Sequence, residues 1–165
     1  MSNDRQTPSR EALIESIYQT FEDFALPFSA TNHPGCCECD GYAEELAGVQ
    51  RQDLTMLHIG TVCWGPIPFL TPAAMAYYFP RLAEFAILNA ENKEGDPFRF
   101  QFLGALRDAK AKQFTLFEGK HRLAVLEVLT FLEKERTLAS DDDDTGLDTL
   151  DSVVTSWKNT LNSES

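Results

Sequence analysis

The stretch LAVLEVLTFL, residues 123–132, indicates a helix that belongs in a protein core. Its leucines recur at every third position, and valines and a phenylalanine lie beside them, so the helix is apolar over much of its circumference. The preceding residues 115–118, Thr-Leu-Phe-Glu, match a capping box, in which a hydroxyl and a carboxylate satisfy the first backbone N–H groups. We therefore predict a central helix here and place the other elements around it.

Two earlier helices are indicated by a threonine followed by a proline, at Thr7-Pro8 and at Thr71-Pro72. A hydroxyl cap followed by proline in the first turn is typical of a helix start. Behind each pair, apolar residues recur at spacings of three and four. Pro80 lies inside the second helix and predicts a kink or a break, because it lacks a backbone N–H. The two apolar faces are Leu13, Ile14, Ile17, Tyr18, Phe21 and Phe24, and then Ala74, Met75, Tyr78, Leu82, Phe85 and Leu88.

Three more helices complete the prediction. Asp40 can cap a short helix that carries Tyr42, Ala43 and Leu46 and is stopped by Gly48. Residues 96–106, DPFRFQFLGAL, begin with alternating phenylalanines but continue at helical spacing, and we interpret them as a helix. Near the end of the chain, apolar residues again follow a helical spacing at Leu147, Leu150, Val154, Trp157 and Leu161.

The pattern as a whole contains no convincing set of strands. It therefore predicts an all-α fold, a single compact multi-helix domain with an additional C-terminal amphipathic helix. We divide the chain into a helical domain at 1–139, with a Cys-rich loop at 29–40, and an acidic linker and C-terminal helix at 140–165.

The chain is acidic, with 26 Asp and Glu against 14 Lys and Arg in 165 residues, a formal charge of −12. Such a surface repels nucleic acid, because phosphate binding depends on Lys and Arg. It attracts a basic partner by long-range electrostatics. The composition thus excludes a nucleic-acid partner and favours a basic protein.

The longest uncharged run, residues 54–80, is interrupted by four prolines and does not resemble a membrane helix. The N-terminal residues have no apolar run of the kind found in signal peptides. We therefore predict a cytoplasmic protein that does not enter the membrane, in a compartment where thiols stay reduced.

The stretch HPGCCECD, residues 33–40, holds three of the four cysteines. Cys36 and Cys39 form a C-x-x-C pair, which supplies two corners of many tetrahedral zinc sites. His33, His58 or Cys63 could supply the remaining corners, and we take Cys36, Cys39, Cys63 and His33 as candidate zinc ligands. A second spaced pair is missing, which favours the other interpretation of the loop, a turn with packed thiols. No cofactor other than zinc is suggested.

Two other interpretations of the cysteines are weaker. A redox C-x-x-C usually follows a strand and opens a helix, and no strand is predicted before Cys36. Glu38 and Asp40 would also raise the pKa of a neighbouring thiol. A Cys–His catalytic pair would make the protein a hydrolase or transferase, but no local signature selects one of the histidines, and His121 is predicted to lie on a solvated first turn.

Candidate partner-binding residues lie on the second helix and near the end of the chain. Tyr77 is about 100° around the helix from Tyr78, so we expect it beside the core face and nearer a partner. Eight acids and two bases lie between Glu133 and Asp151, and they include the run Asp141, Asp142, Asp143 and Asp144. Trp157 is the predicted anchor if the last helix packs on another chain. Whether that helix packs on its own domain or on a partner stays open.

The motif FLTPAAMAYYFP at residues 69–80, together with the Cys-x-Glu-Cys-Asp loop that starts at Cys36, resembles an uncharacterised bacterial domain family of unknown function. Its pattern is Leu-Thr/Ser-Pro-x-Ala-x-x-Tyr-Tyr-x-Pro, followed by a phenylalanine-led capping box, here residues 114–118. The resemblance covers about residues 10–136. This chain departs from it at residues 119–121, where Gly-Lys-His stands in place of an expected glutamine. The resemblance implies a bacterial cytosolic protein and no particular activity.

From these observations we expect a non-enzymatic interaction protein, similar to bacterial immunity proteins and antitoxins. Its acidic surface would bind a basic protein partner such as a toxin. The alternative is a small zinc-binding protein with a structural site at the Cys36 and Cys39 loop. A hydrolase or transferase comes third.

Overall fold

The computed structural model describes residues 8–61, 64–91, 97–139 and 147–162, with the side chains at 136–139 and 147–149 excepted. The described residues form seven α-helices and three short 3₁₀ turns and contain no strand, so the all-α prediction is confirmed. The helices are α1 (Arg10–Thr20), α2 (Cys37–Glu45), α3 (Met56–Ile59), α4 (Pro72–Ile87), α5 (Phe98–Ala105), α6 (Gly119–Ala139) and α7 (Leu147–Asn162).

Helix α4, and not α6, is at the centre of the fold. Thr71 caps α4 as predicted, because its hydroxyl accepts the N–H of Ala74, and Pro72 occupies the first turn. Every residue from Ala74 to Pro80 is buried, while α6 leaves Leu123 53% exposed. Helices α1, α5 and α6 pack against α4. The apolar circumference of α6 thus did not identify the central helix.

Pro80 does not split α4, which continues as one helix to Ile87. The proline removes one backbone donor, but it is buried, and Phe79 directly before it is 0% exposed. Phe79 stacks on Phe21 of the α1 end with 4.9 Å between ring centroids and meets Phe117 edge-on at 5.4 Å. We infer that this packing outweighs the local cost of the proline.

Two helix starts differ from the prediction. Helix α1 begins at Arg10 and is capped by the Ser9 hydroxyl, which accepts the N–H of Ala12; Thr7 lies outside the described residues. The Thr115 hydroxyl donates to the carbonyl of Lys112 and caps nothing. Helix α6 begins at Gly119, three residues later than the capping box implies. Both α1 and α6 therefore start nearer the C-terminus than predicted.

His121 replaces the predicted cap of α6. Its Nδ1 accepts the N–H of Glu118 at 3.1 Å, and its ring packs on Phe21 and Phe24 with centroids 4.8 and 5.0 Å away. The residue is 4% exposed, so the expectation that it lies on a solvated turn is wrong. Lys120 remains exposed, whereas His121 points inward to cover α1.

Helix α7 packs on its own domain, against α6 and α5. The predicted apolar spacing is confirmed for Leu150, Val154 and Trp157, which are buried together with Val153. The Trp157 indole N–H donates to the carbonyl of Leu106 at 2.9 Å, at the end of α5. The open question about this helix is therefore answered in favour of packing within the chain.

Candidate functional site

The Cys-rich loop ends earlier than predicted, because α2 begins at Cys37 and has Cys36 as its N-terminal cap residue. Cys36 is extended, with φ −91° and ψ 110°, and its carbonyl accepts the N–H of Asp40 at 2.9 Å. Asp40 therefore lies in the first turn of the helix and does not cap it. The turn before it is made by Gly35, whose φ of +83° suits glycine. The C-x-x-C pair thus sits at the N-terminal end of a helix.

The start of α2 is held against the rest of the protein on one side. The hydroxyl of Thr31, which is itself buried, donates to the carbonyl of Cys39 at 2.8 Å. The ring of Tyr42 stacks on Phe69 with 6.0 Å between centroids, and Leu46 is buried. These contacts fix which face of α2 points outward.

The thiols of this segment differ in environment. Cys37 is exposed, Cys36 is half-buried and Cys39 is 0% exposed. The backbone N–H and the thiol of Cys39, together with the backbone N–H of Glu38, lower the pKa of Cys36. The Cys36 sulfur itself makes no capping hydrogen bond to the first turn of α2. Burial, the neighbouring Cys36 and the carboxylates of Glu38 and Asp40 raise the pKa of Cys39 to about 11. Cys36 is consequently the more acidic of the two paired thiols.

The candidate zinc ligands do not assemble within the part of the chain that the structure describes. No group of three or more His, Cys, Asp or Glu side chains there is placed to hold a metal ion. His33 is exposed and precedes the turn, where the backbone N–H of Cys36 donates to its carbonyl. Cys63 lies outside the described residues, so its place relative to Cys36 and Cys39 remains a prediction.

The outward face of α2 is strongly acidic. Glu38, Asp40, Glu44 and Glu45 are all exposed, and none forms an ion pair with another described residue. Burial, a 3.0 Å hydrogen bond to Glu38 and the charges of Glu38 and Glu45 raise the pKa of Tyr42 to about 12. The raised pKa of Tyr42 thus reflects burial first and then the negative charge of this face. We call these four carboxylates the acidic face of α2.

Tyr77 does not lie where the sequence placed it. It is 6% exposed, and its hydroxyl donates to Gln50 Oε1 at 3.0 Å and accepts the backbone N–H of Arg51 at 3.1 Å. The guanidinium of Arg51 covers its ring at 4.4 Å from the centroid. Helix α4 is covered on both sides, so a residue 100° from the core face still enters the core. The expectation that Tyr77 faces a partner is wrong.

Trp157 is also unavailable to a partner. It is 0% exposed and meets Phe114 edge-on with 5.0 Å between centroids, and Phe117 lies at 6.2 Å. Its role as an interface anchor is therefore corrected to a core role. The aspartates Asp141, Asp142, Asp143 and Asp144 lie outside the described residues, and their predicted contact with a partner stays a prediction.

A cleft that sequence reasoning missed lies beside the Cys-rich segment. It has a volume of about 590 Å³ and is bounded by His33, residues 67–72, α5 and residues 107–113. Its walls combine apolar side chains with the amide groups of Gln101 and Gln113 and the charges of Arg107, Asp108 and Lys112. A signal was present at residues 107–112, RDAKAK, which concentrate three bases in an acidic chain.

The volume of the cleft lies within the range of small-ligand pockets. Gln101 is mostly committed to the fold, because its Nε2 donates to the carbonyls of Thr61 and Ile59 at 3.3 and 3.5 Å. Its Oε1 is buried and has no hydrogen-bond partner among the described residues. Nothing in the cleft identifies a reacting group.

No protein-family model, no curated protein and no solved structure matches the chain. Within the described residues, no helix has both the length and the apolar character needed to cross a membrane.

Proposed function

We propose that this protein is a non-enzymatic interaction protein, similar to immunity proteins and antitoxins, that binds a basic protein partner through the acidic face of α2. The observation that carries the proposal is that four exposed carboxylates lie on a nine-residue helix without an ion-pair partner in the described chain. Unpaired charges of one sign on a fixed surface are available to an incoming partner.

The physical effect of this face is greatest on association. A net charge of −12 attracts a basic protein from a distance, and the local cluster on α2 orients it before contact. Screening over about 8 Å at physiological ionic strength limits the attraction to the last part of the approach. The association rate should therefore fall with salt more steeply than the dissociation rate changes.

Helix α2 is suited to this role because its inner side packs on the protein core. The buried Cys39 and Leu46 anchor its inner side, and the bond from Thr31 to the Cys39 carbonyl holds its first turn. Rigid charges lose less entropy on binding than charges on a mobile tail. We therefore favour α2 over the aspartate run at 141–144 as the principal contact.

The experiment compares two fourfold variants of equal net charge. The first, Glu38→Gln, Asp40→Asn, Glu44→Gln and Glu45→Gln, neutralises the acidic face of α2. The matched control neutralises four exposed acids elsewhere, Glu11, Glu15, Glu22 and Glu127. Both variants and the unmodified chain are used to capture partners from the source cells, and the association rate of each captured protein is measured over a series of salt concentrations.

We expect a basic protein that binds the unmodified chain and the control, with an association rate at least about tenfold lower for the α2 variant. Equal decreases of the association rate in the two variants would mean that only the net charge matters, and this would contradict the assignment of the binding site to α2. A partner that is not basic would contradict the proposal itself. The immunity-like role is then tested by co-expression, in which the chain should suppress the toxicity of the captured partner.

A further inference from the structure

The Cys-rich segment has a second property that partner binding does not use. A half-buried thiol at the cap position of α2 is followed three residues later by a fully buried one. We propose that Cys36 and Cys39 form a redox-active dithiol, which exchanges with disulfide bonds of small thiol compounds. Cys36 is the attacking residue and Cys39 is the resolving residue.

The geometry of the helix start brings the two thiols together. Residues three apart on a helix share one face, and the cap residue lies directly over the first turn. The bond from the Asp40 N–H to the Cys36 carbonyl shows that the turn is closed at this point. The C-x-x-C spacing across this closed turn therefore places the side chains of Cys36 and Cys39 on the same side of the helix start.

The difference in exposure gives the two thiols separate roles. A disulfide substrate can reach Cys36 from solvent, whereas Cys39 is covered and reaches only its neighbour. The first backbone N–H groups of a helix favour a negative charge at its N-terminal end. The lowered pKa of Cys36 and the raised pKa of Cys39 agree with this arrangement.

The structure answers one sequence argument against a redox pair in part and the other in full. The C-x-x-C does open a helix, although a turn and not a strand precedes it. The carboxylate of Glu38 opposes ionisation of Cys36, but the backbone N–H groups of Cys39 and Glu38 outweigh it. The position of the pair relative to the helix matters more than the acids next to it in sequence.

The exchange balances as two substitutions at sulfur. The Cys36 thiolate attacks one sulfur of the substrate disulfide, a mixed disulfide forms, and the first thiolate leaves. Cys39 gives its proton to that leaving thiolate and then attacks the Cys36 sulfur, which expels the second thiolate. This thiolate takes up from water the proton that Cys36 released when it ionised. The products are one Cys36–Cys39 disulfide and two reduced thiol molecules, so two electrons pass from the protein to the substrate. Excess small-molecule thiol drives the reverse reaction.

The first test uses Cys37 as an internal control for accessibility. The full chain is reacted at neutral pH with a limiting amount of iodoacetamide, and the modified cysteine is identified by peptide mass spectrometry. If the position at the helix end activates Cys36, it reacts several-fold faster than the more exposed Cys37, because a larger fraction of it is thiolate at neutral pH. Equal rates, or faster reaction at Cys37, would overturn the proposal.

The second test traps the intermediate with glutathione disulfide as the probe. The unmodified chain and Cys37→Ser should form the internal disulfide and lose two hydrogens in mass. Cys39→Ser should accumulate glutathione on Cys36, because the resolving thiol is missing, and Cys36→Ser should show no fast reaction. An internal disulfide that forms equally in Cys36→Ser, or no adduct on Cys39→Ser, would refute the assignment.

Metal analysis distinguishes the zinc alternative from the dithiol proposal. The protein is purified under reducing conditions without chelator, and its zinc content is measured. About one equivalent of zinc, lost in both Cys36→Ser and Cys39→Ser, would make these thiols structural ligands and would overturn the dithiol proposal. A metal-free protein that exchanges with glutathione supports it. The partner-binding test does not involve the cysteines, so the two proposals can fail independently.

Discussion

Tyr77 and Tyr78 are neighbours on α4, and both place their rings in the core while their hydroxyls bond to the segment before α3. Tyr78 donates to the carbonyl of Val49 at 2.8 Å, and Tyr77 is bonded to Gln50 and to the Arg51 N–H. The two rings meet edge-on with 5.0 Å between centroids. This segment is thus tied to α4 by two adjacent hydroxyls.

We expect Tyr77→Ala and Tyr78→Ala to destabilise the protein by similar amounts, about 3–5 kcal/mol each, because both remove a buried aromatic ring. Tyr77→Phe and Tyr78→Phe keep the rings and should cost about 1–3 kcal/mol each, through the polar groups left unpaired. Denaturant unfolding measures all four. A loss below about 1 kcal/mol for Tyr77→Ala would show that this ring is not in the core.

His121 makes stability depend on pH in a definite direction. Burial, and then the charge of Lys120, lower its pKa, while Glu118, the Thr20 carbonyl and Asp23 oppose the shift. The unfolded chain therefore takes up a proton near its ordinary pKa of about 6.5, whereas the folded chain does so only at lower pH. This contribution to stability is present above about pH 6.5 and is lost as the pH falls through the lower, folded pKa.

We expect His121→Asn to reduce the difference in unfolding free energy between about pH 7.5 and about pH 5.5. The Asn oxygen can replace Nδ1 as acceptor of the Glu118 N–H, so the cap is kept while the ionisable ring is removed. Other titrating groups are shared with the unmodified chain and cancel in the comparison. An unchanged or larger pH dependence in the variant would contradict the assignment.

The helices themselves were largely predictable, and their surroundings were not. The spacing of Leu150, Val154 and Trp157 identified the buried face of α7, because periodicity reports direction around a helix axis. Periodicity does not report how many other elements surround the helix. Tyr77 was therefore misplaced, because α4 is covered on several sides. His121 was misplaced because a local sequence gives no sign of the aromatic rings that α1 brings to it.

The Cys-rich segment shows the same limit. The sequence located the C-x-x-C pair, but it placed Asp40 and not Cys36 at the start of α2, because Asp is the better capping residue. A shift of that boundary decides whether Cys36 lies in a loop or at the positive end of a helix. The cleft was missed since residues 67–72 and 107–113 approach each other only in the folded chain.

The turn between α3 and α4 depends on two glycines, Gly60 and Gly65. Each lies against a backbone carbonyl next to the other glycine. A Cβ on Gly60, where φ is +70°, would lie 2.1 Å from the carbonyl oxygen of Trp64, and one on Gly65 would lie 2.1 Å from that of Ile59. Neither carbonyl belongs to a flexible side chain, so the backbone would have to move. Gly104 in α5 has open space at the same position.

We expect Gly65→Ala to destabilise the protein by more than about 2 kcal/mol through this overlap. Gly104→Ala, the matched control, should be neutral or stabilise by up to about 1 kcal/mol, because alanine restricts the unfolded chain in a helical position. Thermal unfolding of the two variants makes the comparison. Equal effects would show that the close approach of the backbone at Ile59 and Gly65 is relaxed in solution.

The two ends of the described chain are tied to a common core, which determines what truncation can reveal. Helix α1 packs on α4 and α6, and α7 covers α6 and the end of α5. Arg10 of α1 also forms an ion pair with Glu135 of α6 at 2.6 Å. Since α7 completes the core, its loss cannot be used as a simple test of whether the C-terminal segment binds a partner.

Trp157 is the side chain through which α7 contributes most. Its ring fills the space between Phe114, Phe117 and the end of α5, and its N–H satisfies the carbonyl of Leu106. Trp157→Ala should cost about 3–5 kcal/mol for the lost ring. That is a large part of the roughly 5–15 kcal/mol by which a domain of this kind is stable.

We therefore expect Trp157→Ala to lower the unfolding midpoint sharply, and truncation after Ala139 to abolish cooperative unfolding, since it also exposes the surface that Leu150 and Val153 cover. Thr155→Ala, an exposed substitution on the same helix, controls for changes in helix propensity and should shift stability by less than about 0.5 kcal/mol. A truncated chain that still unfolds cooperatively, with a midpoint close to that of the full chain, would show that α7 is a dispensable addition and that the core closes without Trp157.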